Sequence, residues 1–170
     1  MKIVAFTGLH GVGKSFIARI LSKKTGAVYL NKRDLLKVIF GNYTDWENQY
    51  RKAYSSYGGY EITKIIFNLI VEKENSKPKL LIFDSVHNID ELQYIKKKYS
   101  STLVLVTRPL INKNNLLLDN GIRLNSTHKI NMGQVCDCLY VNCDWSICNT
   151  GSDDFLKKQI DELLSYIETR

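Results

Sequence analysis

The feature that most restricts what this chain can fold into is a glycine-rich segment, residues 8–15. It reads GLHGVGKS and fits the pattern G-x-x-x-x-G-K-S. An apolar run, residues 2–7, precedes the segment and predicts a buried strand, and an amphipathic run from Phe16 to Leu21 predicts a helix after it. This pattern between a strand and a helix is typical of a phosphate-binding loop.

The residues of this loop suit a polyphosphate and a magnesium ion. Glycines allow successive backbone N–H groups to point at one anion, and the following helix adds the positive end of its dipole. We expect Lys14 to reach the β- and γ-phosphates of a nucleoside triphosphate, and the Ser15 hydroxyl to bind Mg²⁺. His10 either contacts a phosphate or faces solvent. The solvent-facing position is favoured, because an exposed histidine needs no partner. The predicted nucleotide-binding residues are Gly8, His10, Gly11, Val12, Gly13, Lys14, Ser15 and Phe16.

Length and composition predict one folded domain that spans residues 1–170, since 44% of the residues are hydrophobic. No apolar run is long enough to cross a membrane, and the chain enters its first strand without room for a signal peptide. We therefore expect a cytoplasmic protein with no membrane partner. The net charge is +7, and the lysines and arginines are spread along the sequence with only short clusters. This distribution indicates solvated helix faces or, alternatively, a surface for polyanions such as nucleotides or RNA.

Four cysteines lie close together, at positions 136, 138, 143 and 148. Their spacing matches no common zinc pattern, and a cytoplasmic location disfavours disulfides. Cys136 and Cys138 lie beside a predicted strand, where a cysteine behaves as a small apolar residue. We therefore do not expect a metal site here.

Predicted strands alternate with predicted helices along the chain. The strands are 2–7, 27–30, 79–83, 102–106 and 139–142. They are continuously apolar, which indicates that helices cover both faces of the sheet. The pattern predicts an α/β fold, a three-layer sandwich with a mainly parallel sheet of about five strands. Ligands of such sheets bind at the carboxyl ends of the strands, where Gly8, Asn31, Asp84 and Arg108 are expected to lie.

Two helices have predicted apolar faces. In the helix at 60–74 the face comprises Ile62, Ile65, Ile66, Leu69 and Ile70. In the C-terminal helix, which Ser152 or Asp153 caps, it comprises Phe155, Ile160, Leu163, Leu164 and Ile167.

Asp84 is the second candidate for the site, because it ends an apolar strand. From that position a carboxylate reaches a magnesium ion, usually through water, although the residue would also suit a helix cap. Ser15 and Asp84 are therefore the predicted metal ligands.

With these residues in place, the sequence resembles the P-loop nucleoside and nucleotide kinases, especially small archaeal adenylate-kinase-like and dephospho-CoA-kinase-like proteins. Residues 33–37 resemble the family's G-D-L-L-R segment, and 83–87 resemble its D-G-V/F-x-R segment. Residues 139–142, followed by 150–152, resemble its last strand and the turn VNDGS. The resemblance implies strand order 2-3-1-4-5, ATP and Mg²⁺ as cofactors, an acceptor-binding insertion at about 31–75 and a reduced lid at about 108–134.

The resemblance also implies roles for particular residues. Catalysis would fall to Lys14, Arg108 and Arg123, and acceptor binding to Arg33, Asp34, Lys37 and His87. Lys37 and His87 stand where the family has arginines, so the bidentate grip on a phosphate is lost. The lid contains few arginines, although Lys113 and Lys129 could assist.

Three functions are compatible with this resemblance. The first is ATP- and Mg²⁺-dependent phosphoryl transfer to a nucleotide or a similar small phosphorylated acceptor. The second is a kinase-fold ATPase that acts as an assembly or switch factor with RNA or a ribosomal partner. The third is a degenerate kinase that binds nucleotide without useful turnover, since a lid poor in arginine closes badly over the transferring phosphoryl group.

Overall fold

The computed structural model describes residues 1–9, 11–41, 46–73, 78–108, 139–150 and 152–169. Its strands are β1 (Lys2–Thr7), β2 (Val28–Asn31), β3 (Leu80–Asp84), β4 (Ser100–Thr107) and β5 (Trp145–Cys148). Its helices are α1 (Lys14–Thr25), α2 (Lys32–Phe40), α3 (Trp46–Lys73), α4 (Ile89–Lys98) and α5 (Asp153–Glu168).

The five strands form one parallel sheet in the order β2-β3-β1-β4-β5. In the central strand Phe6 lies beside Asp84 of β3 and Val104 of β4. The predicted fold class and strand order are confirmed. Because all strands run the same way, the residues that follow them meet at one edge of the sheet.

Both faces of the sheet are buried, as the continuous apolar strands predict. Ile3 and Ala5 of β1 point into a core shared with α2, α3 and α4, whereas Val4 and Phe6 point into a core shared with α1 and α5. These alternating side chains are at most 1% exposed. The phosphate loop therefore leads into a helix on one face of the sheet, while the predicted acceptor-binding segments lie on the other.

Helix ends follow the local sequence signals. Gly26 ends α1 in the left-handed region at φ 67°. The Asn31 side chain caps α2 by accepting a hydrogen bond from the Asp34 backbone N–H at 3.2 Å. Asn31 therefore fixes where the acceptor-side helix starts.

The predicted last strand, 139–142, is wrong. Leu139 and Tyr140 are helical, Val141 is 84% exposed, and the strand that pairs with β4 is Trp145–Cys148. Asp144 sets the register, because its backbone N–H donates to Leu103 O at 2.9 Å and its carboxylate accepts from Leu103 N–H at 2.8 Å. Strand composition at 139–142 could not reveal this long-range pairing.

Two predicted apolar faces are partly wrong. Ile65 and Leu69 of α3 are 45% and 38% exposed, while Phe67 is fully buried against the rings of Phe83, Tyr94 and Tyr99. A large ring gains more than an aliphatic side chain on burial, so α3 is turned to seat Phe67. In α5 Phe155 is 48% exposed, and Leu156 takes its place in the core.

Several predictions lie outside the described residues: those for His10, Lys113, Arg123, Lys129, Cys136 and Cys138, and nearly all of the lid segment. In the part of the chain that the structure describes, Cys143 and Cys148 form no disulfide, and no three or more His, Cys, Asp and Glu side chains cluster in a way that could hold a metal ion. None of the described helices is long and apolar enough to cross a membrane.

Candidate active site

The glycine-rich loop is held between the end of β4 and the turn after β5. Gly8, Gly11 and Gly13 have φ values of 138°, 80° and 98°, a region that favours glycine. A Cβ atom on Gly8 would overlap the backbone carbonyl of Val106, and one on Gly13 would overlap the side-chain amide of Asn149. The glycines therefore supply both the curvature of the loop and its close fit to the sheet.

Lys14 is the first residue of α1 and is 9% exposed. Its ammonium donates hydrogen bonds to Gly8 O at 2.9 Å and Leu9 O at 2.8 Å, so the cation lies across the loop. Ser15 follows in the first helical turn with an exposed side chain, and Phe16 is 56% exposed. A cation and a hydroxyl thus sit at the positive end of the α1 dipole, where an anion is favoured.

Asp84 ends β3 and is 4% exposed. Its Oδ2 accepts a hydrogen bond from the Tyr29 hydroxyl at 2.8 Å, and Asn31 donates to the same hydroxyl oxygen at 3.3 Å. Burial and then the hydrogen bond to Asp84 raise the pKa of Tyr29, which keeps the phenol protonated as a donor. The Tyr29 ring also packs under the Arg19 guanidinium, 5.7 Å from its centroid. Sequence reasoning missed this support for Asp84.

The donor chemistry of the two predicted metal ligands suits magnesium. Ser15 offers a hydroxyl and Asp84 a carboxylate, both hard oxygen ligands of the kind that Mg²⁺ binds together with water and phosphate oxygens. They come from neighbouring elements, since α1 follows β1 and Asp84 lies beside Phe6 of β1.

The predicted acceptor-binding residues lie on the other face of the sheet. Arg33 and Asp34 are exposed in the first turn of α2, and Lys37 is half-buried one turn later. His87 is half-buried in the segment after β3, where its Nε2 lies 2.9 Å from Ser85 Oγ. The structure brings these segments to one edge, because β2 and β3 are adjacent and end side by side.

A buried ion pair joins the two segments. Lys32 opens α2 and pairs with Glu91 in the first turn of α4, and their side chains are 6% and 1% exposed. Glu91 also accepts a hydrogen bond from the His87 backbone N–H at 2.8 Å, and its own N–H donates to Asn88 Oδ1 at 3.0 Å. Sequence reasoning missed the pair, although Asn88 and Glu91 have the N-x-x-E spacing of a helix cap.

Helix α3 closes over this ion pair. It kinks at Gly58 (φ 74°, ψ 163°), and the next residue, Gly59, packs against the Tyr54 ring and Asn88 Oδ1. Burial, followed by the charges of Glu91 and Asp90, raises the pKa of Tyr54 to about 12. A protonated phenol and a buried carboxylate therefore lie close together on the acceptor side.

Arg108 follows β4 at the same edge of the sheet. Its Nε is buried, and no hydrogen-bond partner for it is found within the described ranges. An unsatisfied guanidinium N–H near the start of the loop suits an anionic ligand.

Asn149 is a further residue that sequence reasoning missed. It is 6% exposed, and its side-chain amide donates to Val12 O at 2.9 Å. The missed signal is the run 148–152, CNTGS, which fits the turn VNDGS without a gap. The wrong strand at 139–142 had placed Asn142 at that position.

Comparison with known proteins gives one sequence relative and several structural neighbours. No family model matches the chain. It is 24% identical to a UPF0200 protein from Sulfurisphaera tokodaii, with 98% of each chain covered.

Among the solved structures with a similar fold are two kinases. A shikimate kinase from Acinetobacter baumannii in complex with shikimate aligns with a TM-score of 0.63 at 14% identity, covering 99% of this chain and 93% of the other. A sugar kinase from Janibacter aligns with a TM-score of 0.55 at 11% identity, covering 98% and 94%. The chain has the fold of the P-loop kinases.

Within the P-loop kinase fold, the described residues of the candidate site form two groups. Lys14 and Ser15 begin α1 directly after the loop, Asp84 ends β3 on one side of β1, and Arg108 follows β4 on the other side. The acceptor-side candidates lie across β3, tied together through Glu91. The arrangement can hold a polyphosphate on one side and present a second polar ligand on the other.

Proposed function

We propose that this protein is an ATP- and Mg²⁺-dependent kinase that phosphorylates a nucleotide or a similar small phosphorylated acceptor. The observation that carries the proposal is the buried Lys14 ammonium, which lies across a loop whose glycines have positive φ values. This loop follows β1, the strand that pairs with β3 beside Asp84. Phosphoryl transfer needs little beyond such positioning and neutralisation of charge.

Each residue near the loop has a definite part in this reaction. The N–H groups of the loop and the Lys14 ammonium would hold the β- and γ-phosphates. Ser15 and Asp84 would hold Mg²⁺, which when bound neutralises charge on the phosphate oxygens. Arg108 would stabilise charge on the transferring group, with Arg123 as a second predicted cation. The bond from the γ-phosphorus of ATP to the β–γ bridging oxygen would break, so that ADP leaves, and a bond from the γ-phosphorus to an acceptor oxygen would form. Where that oxygen belongs to a hydroxyl, its proton would be released.

The acceptor would lie between α2 and the segment after β3. Arg33 and Lys37 supply positive charge there, Asp34 supplies a hydrogen-bond acceptor, and His87 supplies an imidazole. A phosphorylated acceptor fits this set because cations outnumber the carboxylate. The structural neighbour from Acinetobacter baumannii is in complex with shikimate, so shikimate belongs in the test.

Phosphate transfer can be measured directly with γ-labelled ATP and Mg²⁺. The panel comprises the nucleoside monophosphates, dephospho-CoA and shikimate, each offered to the wild type and to Lys14→Ala. We expect transfer to at least one acceptor and a loss of about 10²-fold or more in Lys14→Ala, by analogy with the removal of one charge-stabilising donor.

Three outcomes would contradict the proposal. Slow hydrolysis without transfer would favour the ATPase alternative, which co-purification of RNA or ribosomal protein would support. Binding of ATP without transfer or hydrolysis would favour a degenerate kinase. Unchanged ATP affinity in Lys14→Ala would contradict the proposal that the loop binds the phosphates of ATP.

A further inference from the structure

We propose that Asn149 is a positioning residue for nucleotide, because it fixes the orientation of one peptide group in the phosphate loop. The inference rests on the proposed function only in that the loop binds the phosphates of ATP. Asn149 follows β5 and lies 137 positions from its partner Val12.

The geometry of the peptide group between Val12 and Gly13 supports the inference. Its carbonyl oxygen accepts a hydrogen bond from the Asn149 side chain at 2.9 Å, so the oxygen is directed out of the loop toward β5. In a trans peptide the C=O and N–H point in opposite directions. The Gly13 N–H, which belongs to the same group, is therefore directed away from Asn149.

Without the hydrogen bond from Asn149, the peptide group between Val12 and Gly13 could adopt a second orientation. Gly13 has φ 98°, and glycine tolerates many backbone conformations, so the plane between Val12 and Gly13 can rotate at low cost. Rotation would turn a carbonyl oxygen toward the phosphates in place of an N–H donor. Asn149 opposes this, since rotation would leave its buried amide without the Val12 acceptor.

Asn149 is itself held rigidly at the end of the sheet. Its backbone N–H donates to Thr107 O at 2.8 Å and so extends the pairing of β5 with β4. Gln159 of α5 grips the preceding residue, accepting from Cys148 N–H at 2.8 Å and donating to Cys148 O at 3.0 Å. The amide is also packed directly on Gly13, where a Cβ would overlap it. Such a supported side chain can hold a loop in one conformation.

The test compares nucleotide affinity in Asn149→Ala with that in a matched control. Ser22→Ala removes one side-chain donor to a backbone carbonyl, the 2.8 Å bond to Ala27 O, at the opposite end of α1. Calorimetric titration with Mg·ATP should give a dissociation constant about tenfold higher for Asn149→Ala, which corresponds to the free energy of one hydrogen bond. The dissociation constant of Ser22→Ala should not change. In the kinase assay the KM for ATP should rise, while the acceptor KM stays the same.

A second variant and a second observable keep the outcome clear. Asn149→Asp has nearly the same shape but cannot donate to Val12 O, so it should lose at least as much affinity. The amide resonance of Gly13 should shift on addition of ATP in the wild type and shift less in Asn149→Ala. Wild-type affinity in a folded Asn149→Asp, or an equal loss in Ser22→Ala, would overturn the inference. Failure of the wild type to bind ATP would instead overturn the proposed function.

Discussion

Gly8 and Gly11 differ in their surroundings although both have left-handed backbone angles. Among the described residues, none apart from its chain neighbours has an atom within 4 Å of a Cβ placed on Gly11, whereas a Cβ on Gly8 would overlap the carbonyl of Val106. We expect Gly11→Ala to lower the free energy of unfolding by about 1 kcal/mol, the cost of placing a side chain in this region. Gly8→Ala should lose a further ~1–3 kcal/mol, because the backbone of β4 must also move.

Urea denaturation of the two variants measures this difference directly. Gly11→Ala serves as the control for backbone strain alone, so the extra loss in Gly8→Ala reports the contact with β4. Equal midpoints for the two variants would mean that the loop does not press against Val106.

At the scale of residues, the sequence reveals what is encoded locally. The loop is predictable because its glycines, Lys14 and Ser15 have a fixed spacing. Asp84 is predictable as a strand end, but its donor Tyr29 is not, since the two lie 55 positions apart. The run CNTGS at 148–152 locates Asn149 in a turn that resembles VNDGS. Its contact with Val12 is not predictable, because the two residues lie 137 positions apart.

Helices α2 and α4 are joined by the buried pair of Lys32 and Glu91. Removal of either partner takes the opposite charge away from a buried ion, so Lys32→Met and Glu91→Gln should each lower the free energy of unfolding by about 3–5 kcal/mol. The double variant should be more stable than either single variant, because both charges are gone and a glutamine oxygen still accepts from the His87 N–H. The exposed pair of Lys64 and Glu61, 47% exposed on each side, is the matched control. Lys64→Met should cost less than about 1 kcal/mol.

A double-mutant cycle from chemical denaturation measures the coupling. If the pair also positions the acceptor side, the acceptor KM should rise in the double variant, while the affinity for ATP on the opposite face of the sheet is unchanged. Additive losses in the cycle would show that Lys32 and Glu91 act independently.

At the scale of elements, the sequence predicts which strands and helices exist better than it predicts their positions in the chain and the faces that they bury. The first four strands are predicted because each is a continuous apolar run between helices. β5 is missed because its sequence, WSIC, contains a serine, whereas the more apolar LYV at 139–141 is not a strand. The orientation of α3 is missed because the ring cluster around Phe67 decides which face is buried, and that cluster forms only in the folded chain.

Alkaline pH should unfold the whole molecule through its buried phenols. Burial raises the pKa of Tyr54 and of Tyr94 to about 12, against 10.0 for an unperturbed tyrosine. Between these values the unfolded chain loses protons that the folded chain retains, so stability is complete below pH 10 and falls as the pH rises toward 12. The free energy of unfolding should decrease by about 1.4 kcal/mol per pH unit for each such group.

Tyr94→Phe tests this dependence because Tyr94 is 3% exposed and lies in the ring cluster with Tyr60, Phe67 and Tyr99. Phenylalanine preserves the ring but cannot ionise, so the variant should lose stability less steeply above pH 10. Urea denaturation at intervals from pH 8 to pH 12 gives the two slopes, and the stability of the variant relative to the wild type should improve throughout the upper half of that range. Parallel curves would show that Tyr94 ionises equally in both states and would contradict the prediction. The prediction rests on the poor solvation of a phenolate buried against Tyr60 and Phe67 of α3.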